Sequence, residues 1–197
     1  INEQADMGYV SSKEIGALIL TPQTIVNLEK VAQSIILKEP LLLVGETGVG
    51  KTSLIRNLAY QTHNSFRRFN LSGQTEKLEF LGGFKPNEKG EFVWNNGILI
   101  EAMKNGHWLV LDEINLAPSQ IIERLNSLLD DDGFLVITEH ENEKWIQPQG
   151  YDRQKNDLLK SNLKAIQKEP GGTEYLVINK IRLYRIHPNF RLFATMN

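Results

Sequence analysis

The chain contains no cysteine. That excludes a disulfide framework and a thiolate metal site, and it is compatible with a reducing compartment. No apolar run approaches the ~20 residues of a membrane-spanning helix. The first residues, Ile1 to Gly8, lack the charged and apolar regions of a signal peptide. No membrane partner is expected, and the location is read as intracellular. Histidine is scarce: His63, His107, His140 and His187 are scattered without ligand spacing, so core or surface roles are expected rather than a zinc site. Positive charge is not in excess, with a formal net charge of −2 at pH 7. That argues against a broad basic surface, and no direct nucleic-acid site is expected. The chain opens on Ile1 rather than Met, so it reads as a fragment or as numbered from an internal point.

What is present suits one globular domain, or one domain with an insertion. The length is 197 residues, with 41% hydrophobic and 23% charged residues, close to globular averages. The dominant feature is Gly45-Glu46-Thr47-Gly48-Val49-Gly50-Lys51-Thr52, a G-x-x-x-x-G-K-[ST] loop. Leu41 to Val44 before it reads as a buried parallel strand. Ser53 to Gln61 after it continues as a helix with Leu54, Ile55 and Leu58 on one side. The residue types match a polyphosphate ligand. Gly45, Gly48 and Gly50 allow a tight turn whose N–H groups face phosphate oxygens, and the helix start adds its dipole. Lys51 supplies a cation for the β and γ phosphates, and the Thr52 hydroxyl is suited to Mg²⁺. The nucleotide-binding residues are therefore read as Gly45, Glu46, Thr47, Gly48, Val49, Gly50, Lys51, Thr52 and Ser53.

The second landmark is Trp108-Leu109-Val110-Leu111-Asp112-Glu113. A buried strand ending in carboxylates delivers them to the carboxyl edge of a sheet, where ligands of open α/β sheets bind. Asp112 can hold Mg²⁺ through its water shell, and Glu113 can orient and deprotonate an attacking water. The third is Phe190 to Asn197, a strand ending in an amide that could hold that water or a γ-phosphate oxygen.

Around these landmarks, residues 1–20 form a poorly patterned lead-in. A helix starts at Thr21-Pro22 and ends before Pro40, with Ile25, Leu28, Val31, Ala32, Ile35 and Ile36 as its apolar face. Arg67 to Leu71 reads as a strand. Thr75 caps a short helix that Gly82-Gly83 breaks. Phe84 to Gly97 is a hairpin whose Phe84, Phe92 and Trp94 either grip a partner or pack on their own domain. Ile98 to Asn105 is a helix. Pro118 to Asp130 is an amphipathic helix with Ile121, Ile122, Leu125, Leu128 and Leu129 as core, closed by a solvated Asp130-Asp131-Asp132-Gly133 turn. Phe134 to Thr138 is a strand. Residues 139–186 turn polar and read as a surface insertion, with a weak apolar face at Leu158, Leu159, Leu163 and Ile166, a loop at Pro170-Gly171-Gly172, and Tyr175 to Tyr184 as one strand. Its basic residues, Lys164 among them, read as a solvated face rather than a site for an acidic partner.

Together the three landmarks resemble the AAA+ ATPases, with Walker A at Gly45–Thr52, Walker B at Leu109–Glu113 and sensor 1 at Asn197. Phe69 to Ser72, Phe80-Leu81-Gly82-Gly83-Phe84-Lys85-Pro86 and Trp94 to Met103 resemble the dynein-related branch, which carries a hairpin inserted in helix 2, and Leu111 to Pro118 and His187 to Asn197 narrow the likeness further. Within that branch the wording is most similar to the AAA modules of the midasin family, which remodel ribosome (60S) precursors. The resemblance implies an α/β P-loop core: a parallel sheet of order 5-1-4-3-2, helices on both faces, and here a further insertion before the sensor 1 strand. It implies that residues 1–197 form an AAA+ large subdomain that stops before the helical lid. ATP and Mg²⁺ are the implied cofactors. Glu113, Asn197 and Lys51 are the implied catalytic residues, and Thr52 and Asp112 the implied metal ligands. The implied partners are neighbouring AAA modules in a ring and a protein or ribonucleoprotein substrate. The implied location is the nucleus or nucleolus if midasin-like, otherwise cytoplasm or mitochondrion. Two alternatives stay open: a nucleotide-locked structural module with little turnover, and a GTPase, since nothing in the sequence reads the base.

Overall fold

The structure is a computed structural model that describes residues 18–130, 133–140, 142–160, 166–169 and 172–197. Most of the lead-in, together with Asp131, Asp132, Leu163, Lys164, Pro170 and Gly171, lies outside the described residues. In chain order the elements are α1 (Pro22–Leu37), β1 (Leu41–Val44), α2 (Lys51–Gln61), β2 (Phe66–Asn70), α3 (Lys77–Phe80), β3 (Gly82–Pro86) and β4 (Phe92–Asn96). There follow α4 (Ile98–Asn105), β5 (Trp108–Asp112), a 3₁₀ turn (Ile114–Leu116), α5 (Ser119–Leu129), β6 (Phe134–Ile137) and β7 (Glu143–Ile146). The chain closes with α6 (Pro148–Lys160), β8 (Ile166–Lys168), β9 (Glu174–Ile178), β10 (Ile181–Arg185) and β11 (Arg191–Met196). These form two compact units. The first takes residues up to 75, then 105–117 and 189–197; the second takes 76–104 and 118–188.

The first unit is a parallel sheet with helices. Its strand order is β1-β11-β5-β2, and every neighbouring pair is parallel. This is the 1-4-3-2 part of the expected order. All of β5 is buried, as an apolar strand in the middle of a parallel sheet should be. Val31 of α1, Ile55 and Ala59 of α2, Trp108 and Val110 of β5, and Phe193 of β11 form one core against the sheet. Helix α1 starts as expected: the Thr21 hydroxyl accepts from Thr24 N–H at 3.1 Å, and Pro22 follows in the first turn. It ends at Lys38, which takes a left-handed conformation and donates back to Ile35 O.

Two expectations need correction here. The apolar face assigned to α1 is core only in part: Val31 is buried and Ile35 packs against the same cluster, while Ile25 and Ile36 are exposed. Strand β1 is not buried on both faces. Alternation sends Leu41 and Leu43 into the core and leaves Leu42 and Val44 exposed on the other side. Its partner among the described strands is β11 alone.

The second unit holds a five-stranded mixed sheet of order β6-β7-β10-β9-β8 and the two-stranded β3–β4 hairpin. In the sheet, β7 and β10 pair in parallel and the other pairs are antiparallel. Ile146, Tyr151, Leu176 and Leu183 form its core, with Phe134, Leu158, Ile166 and Ile178 packed against them. The polar stretch after Glu139 thus contains β7, α6, β8, β9 and β10, and β6 joins the same sheet. Tyr175 to Tyr184 is two strands rather than one. Asn179 and Lys180, at φ +50° and +66°, make the two-residue turn that reverses the chain.

Smaller corrections follow the same physics. Glu76, not Thr75, caps α3; the Thr75 hydroxyl instead accepts from Ser72 N–H at 2.8 Å. Gly82-Gly83 does not simply break a helix but opens β3. Leu129, at the last turn of α5, is exposed while Ile121, Leu125 and Leu128 are buried. In the hairpin, Trp94 meets Phe84 edge-on at 5.4 Å and stacks on His140 at 4.5 Å, whereas Phe92 is 72% exposed. Packing therefore claims Trp94 and leaves Phe92 at the surface. No helix among the described residues is long and apolar enough to cross a membrane.

Candidate nucleotide site

The glycine loop joins β1 to α2, and its start is tied to the sheet by Gly45 N–H donating to Met196 O at 3.2 Å. Gly48 and Gly50 have φ of +85° and +88°, and a Cβ on either would have nothing within 4 Å. The requirement for glycine there is conformational, and the space beside the loop is open. Gly50 caps α2 without a side-chain hydrogen bond, so the dipole and first-turn N–H groups of the helix are available to an anion.

Lys51, the first residue of α2, folds back over the loop. Its ammonium donates to Gly45 O, to Glu46 O at 3.0 Å and to Asn197 Oδ1 at 3.0 Å. The Asn197 amide in turn donates to Glu113 Oε1 at 2.7 Å. Asn197 therefore bridges the lysine and the glutamate across the sheet edge. Glu113 leaves β5 at φ +57°, a left-handed conformation that non-glycine residues adopt at a cost of order 1–3 kcal/mol and that marks constrained sites.

Asp112 is 4% exposed and fully engaged. Its Oδ1 accepts from the Thr52 and Thr195 hydroxyls, each at 2.9 Å, and its Oδ2 accepts from Arg68 Nε. Burying a carboxylate is costly unless it is paired and hydrogen-bonded, and this one is both. Register explains the convergence: Asn70 pairs with Asp112 across β2–β5, and Ala194 pairs with Leu111 across β11–β5, which brings Thr195 to the Asp112 level.

These groups line a cleft of about 280 Å³. Of the residues singled out from the sequence, Thr47, Gly48, Gly50, Lys51, Thr52, Ser53, Asp112, Glu113 and Asn197 line it. Gly45 and Glu46 act behind it, through carbonyls that hold Lys51. Val49 is exposed and does not line it. Sequence reasoning missed Arg56, Phe66, Arg68, Asn70 and Thr195. The signal for three of them was present in β2, because alternation puts Phe66, Arg68 and Asn70 on one face. Thr195 was legible only once β11 had been set beside β5.

The cleft's chemistry suits a polyphosphate with a hard cation. Thr52 and Asp112 offer oxygen donors within hydrogen-bond reach of each other, the kind of ligand magnesium takes. Lys51, Arg56 and Arg68 supply positive charge on the same lining.

The chain is similar to several known proteins. Midasin of Dictyostelium discoideum is 46% identical over 122 residues, covering 61% of this chain and 2% of that protein. Midasin of Giardia intestinalis is 37% identical over 139 residues, covering 68% of this chain and 3% of that protein. An uncharacterized protein of Staphylococcus saprophyticus is 41% identical over 105 residues, or 50% of this chain and 40% of its own length. The chain thus spans a few per cent of the midasins it matches. The family profile described as the AAA domain, dynein-related subfamily, matches residues 40–197, and the chain belongs to that family.

Proposed function

We propose that the chain binds ATP with Mg²⁺ in this cleft and hydrolyses it, as one module of a ring-forming remodelling machine. One observation carries the reading. Lys51 and Thr52, Asp112 and Glu113, and Asn197 come from three distant stretches of the sequence, yet direct hydrogen bonds join these stretches at one rim of one parallel sheet, beside the glycine loop. On this reading residues 1–197 are an AAA+ large subdomain, with 139–186 as an insertion.

Each residue has a physical task. The loop N–H groups and the start of α2 hold the phosphates. Lys51 exchanges its two backbone carbonyls for β- and γ-phosphate oxygens. Thr52 and Asp112 would hold the magnesium ion, which when bound neutralises phosphate charge. Glu113 orients a water and takes its proton as the oxygen bonds to the γ-phosphorus, while the bond from that phosphorus to the β–γ bridging oxygen breaks and ADP leaves. Asn197 keeps Glu113 aimed by the amide contact it already makes.

In related phosphoryl-transfer systems an arginine supplied by a neighbour is worth roughly 10³–10⁵ in rate. The isolated chain is therefore expected to bind nucleotide and turn over slowly. The test compares wild type with Lys51→Ala and Glu113→Gln. K51A should lose nucleotide binding, and E113Q should keep binding and lose hydrolysis. A purified chain blind to ATP and GTP overturns the reading. Fast single-turnover hydrolysis by dilute monomer overturns the need for a neighbour. An assembled ring whose ATPase rate is unchanged by E113Q points to a nucleotide-locked structural module instead.

The similarity to midasin supports placement in a multi-module ring acting on a protein or ribonucleoprotein, as in ribosome-precursor remodelling, with a nuclear or nucleolar location. Tagging the full-length protein and following it through nucleolar fractionation tests that placement.

A further inference from the structure

Arg68 belongs to none of the sequence motifs, yet its Nε donates to Oδ2 of Asp112, from a strand 44 residues earlier in the chain. The two side chains are unlike in exposure: Arg68 is 60% exposed and Asp112 6%. One is an arm on the cleft wall, the other a fixed carboxylate. Asp112 needs a positive partner because its Oδ1 receives only the neutral hydroxyls of Thr52 and Thr195. Arg68 supplies the formal positive charge bonded to this carboxylate.

We propose that Arg68 is a positioning residue that serves as a resident counter-ion for Asp112 and must release it when a magnesium-nucleotide binds. The inference rests on the reading of the cleft as a magnesium-nucleotide site. A divalent cation held through Thr52 and Asp112 and a guanidinium on Oδ2 compete for one carboxylate, and they repel each other at short range. The release costs little ordering, because the arm is already largely in solvent. Arg68 and Arg56 both line the cleft, so the freed guanidinium stays within reach of an anionic ligand there. The cleft then keeps its acid paired when no metal is bound and yields it to the metal when one arrives. Two consequences follow for Arg68→Gln. Nucleotide without metal loses a cation and binds more weakly. Metal no longer has to compete for Asp112.

The experiment measures the affinity of a fluorescent ATP analogue in saturating Mg²⁺ and in EDTA, and takes the ratio of the Mg²⁺ affinity to the EDTA affinity. R68Q should raise that ratio by about threefold to tenfold, the scale of a partly exposed charge-assisted pair. Arg68→Lys keeps the charge and should return the ratio to within about twofold of wild type. Arg68→Ala is the second neutral variant should the glutamine fail to fold. A purely structural Arg68 would lower the melting temperature and shift both affinities equally. An unchanged ratio in a neutral variant that still binds nucleotide overturns the proposal. Wild-type protein that binds no nucleotide in either buffer removes the reading on which it rests, a separate and distinguishable failure.

Discussion

Thr195→Val probes the inner wall of the cleft without touching the glycine loop. Thr195 is 2% exposed, and its hydroxyl donates to Asp112 Oδ1 at 2.9 Å. Valine fills the same volume, so no cavity forms, but the donor is lost. Hydrogen bonds to charged groups contribute about 1.5–3 kcal/mol. Asp112 keeps Thr52 and Arg68, so it is not stranded, and the lower part of that range applies, about 1.5–2 kcal/mol. For a chain of this size each kcal/mol shifts Tm by about 2–4 °C, which gives a drop of about 3–8 °C. Thr195→Ser keeps the donor and removes one buried methyl, worth about 0.8 kcal/mol. The expected order of melting temperatures is wild type, then T195S, then T195V, read by thermal circular dichroism without nucleotide. A T195V protein that melts with or above wild type would refute the claim that this hydroxyl stabilises the buried carboxylate.

Other outcomes follow from the second unit. A Cβ on Gly97 would lie 2.5 Å from Phe80 C and 2.6 Å from Gly82 N and Leu81 C, all backbone atoms that cannot swing aside. Gly97→Ala should therefore cost about 3 kcal/mol or more, at the upper end for overpacking, and a urea midpoint equal to wild type would contradict it. Glu143 is buried, which holds its carboxyl above the ordinary 4.5 although His140 and Trp145 pull it down. The folded state then binds more protons than the unfolded chain in the window just above pH 4.5. Stability from this group is full below that pH and is lost as pH rises through the folded value. Glu143→Gln removes this dependence, so the stability of E143Q relative to wild type should rise with pH above 4.5. A difference that is flat with pH in urea melts would show that Glu143 is not the titrating group. In the hairpin, Phe92→Ser should leave the melting temperature within about 1 °C, since an exposed side chain adds little to a core. A large drop would mean that Phe92 is packed.

By itself the sequence determined the parts whose chemistry is contiguous. Gly48, Gly50, Lys51 and Thr52 are neighbours, and the turn, the helix start and the cation follow from residue types a few positions apart. The apolar run into Asp112 and the strand ending in Asn197 were legible for the same reason, as was the parallel α/β class. Tertiary structure decided what depends on strand order and register. Arg68 and Thr195 reach Asp112 only because β2 and β11 flank β5 in parallel, and no local pattern encodes that pairing. Alternation along β1 turned Leu41 and Leu43 to the core and left Leu42 and Val44 exposed despite their apolar sequence. The mixed sheet of the second unit was hidden in a polar stretch because its core is assembled from single residues, Tyr151, Leu176 and Leu183 among them, spread over separate elements. Local composition averages such residues away; packing brings them together.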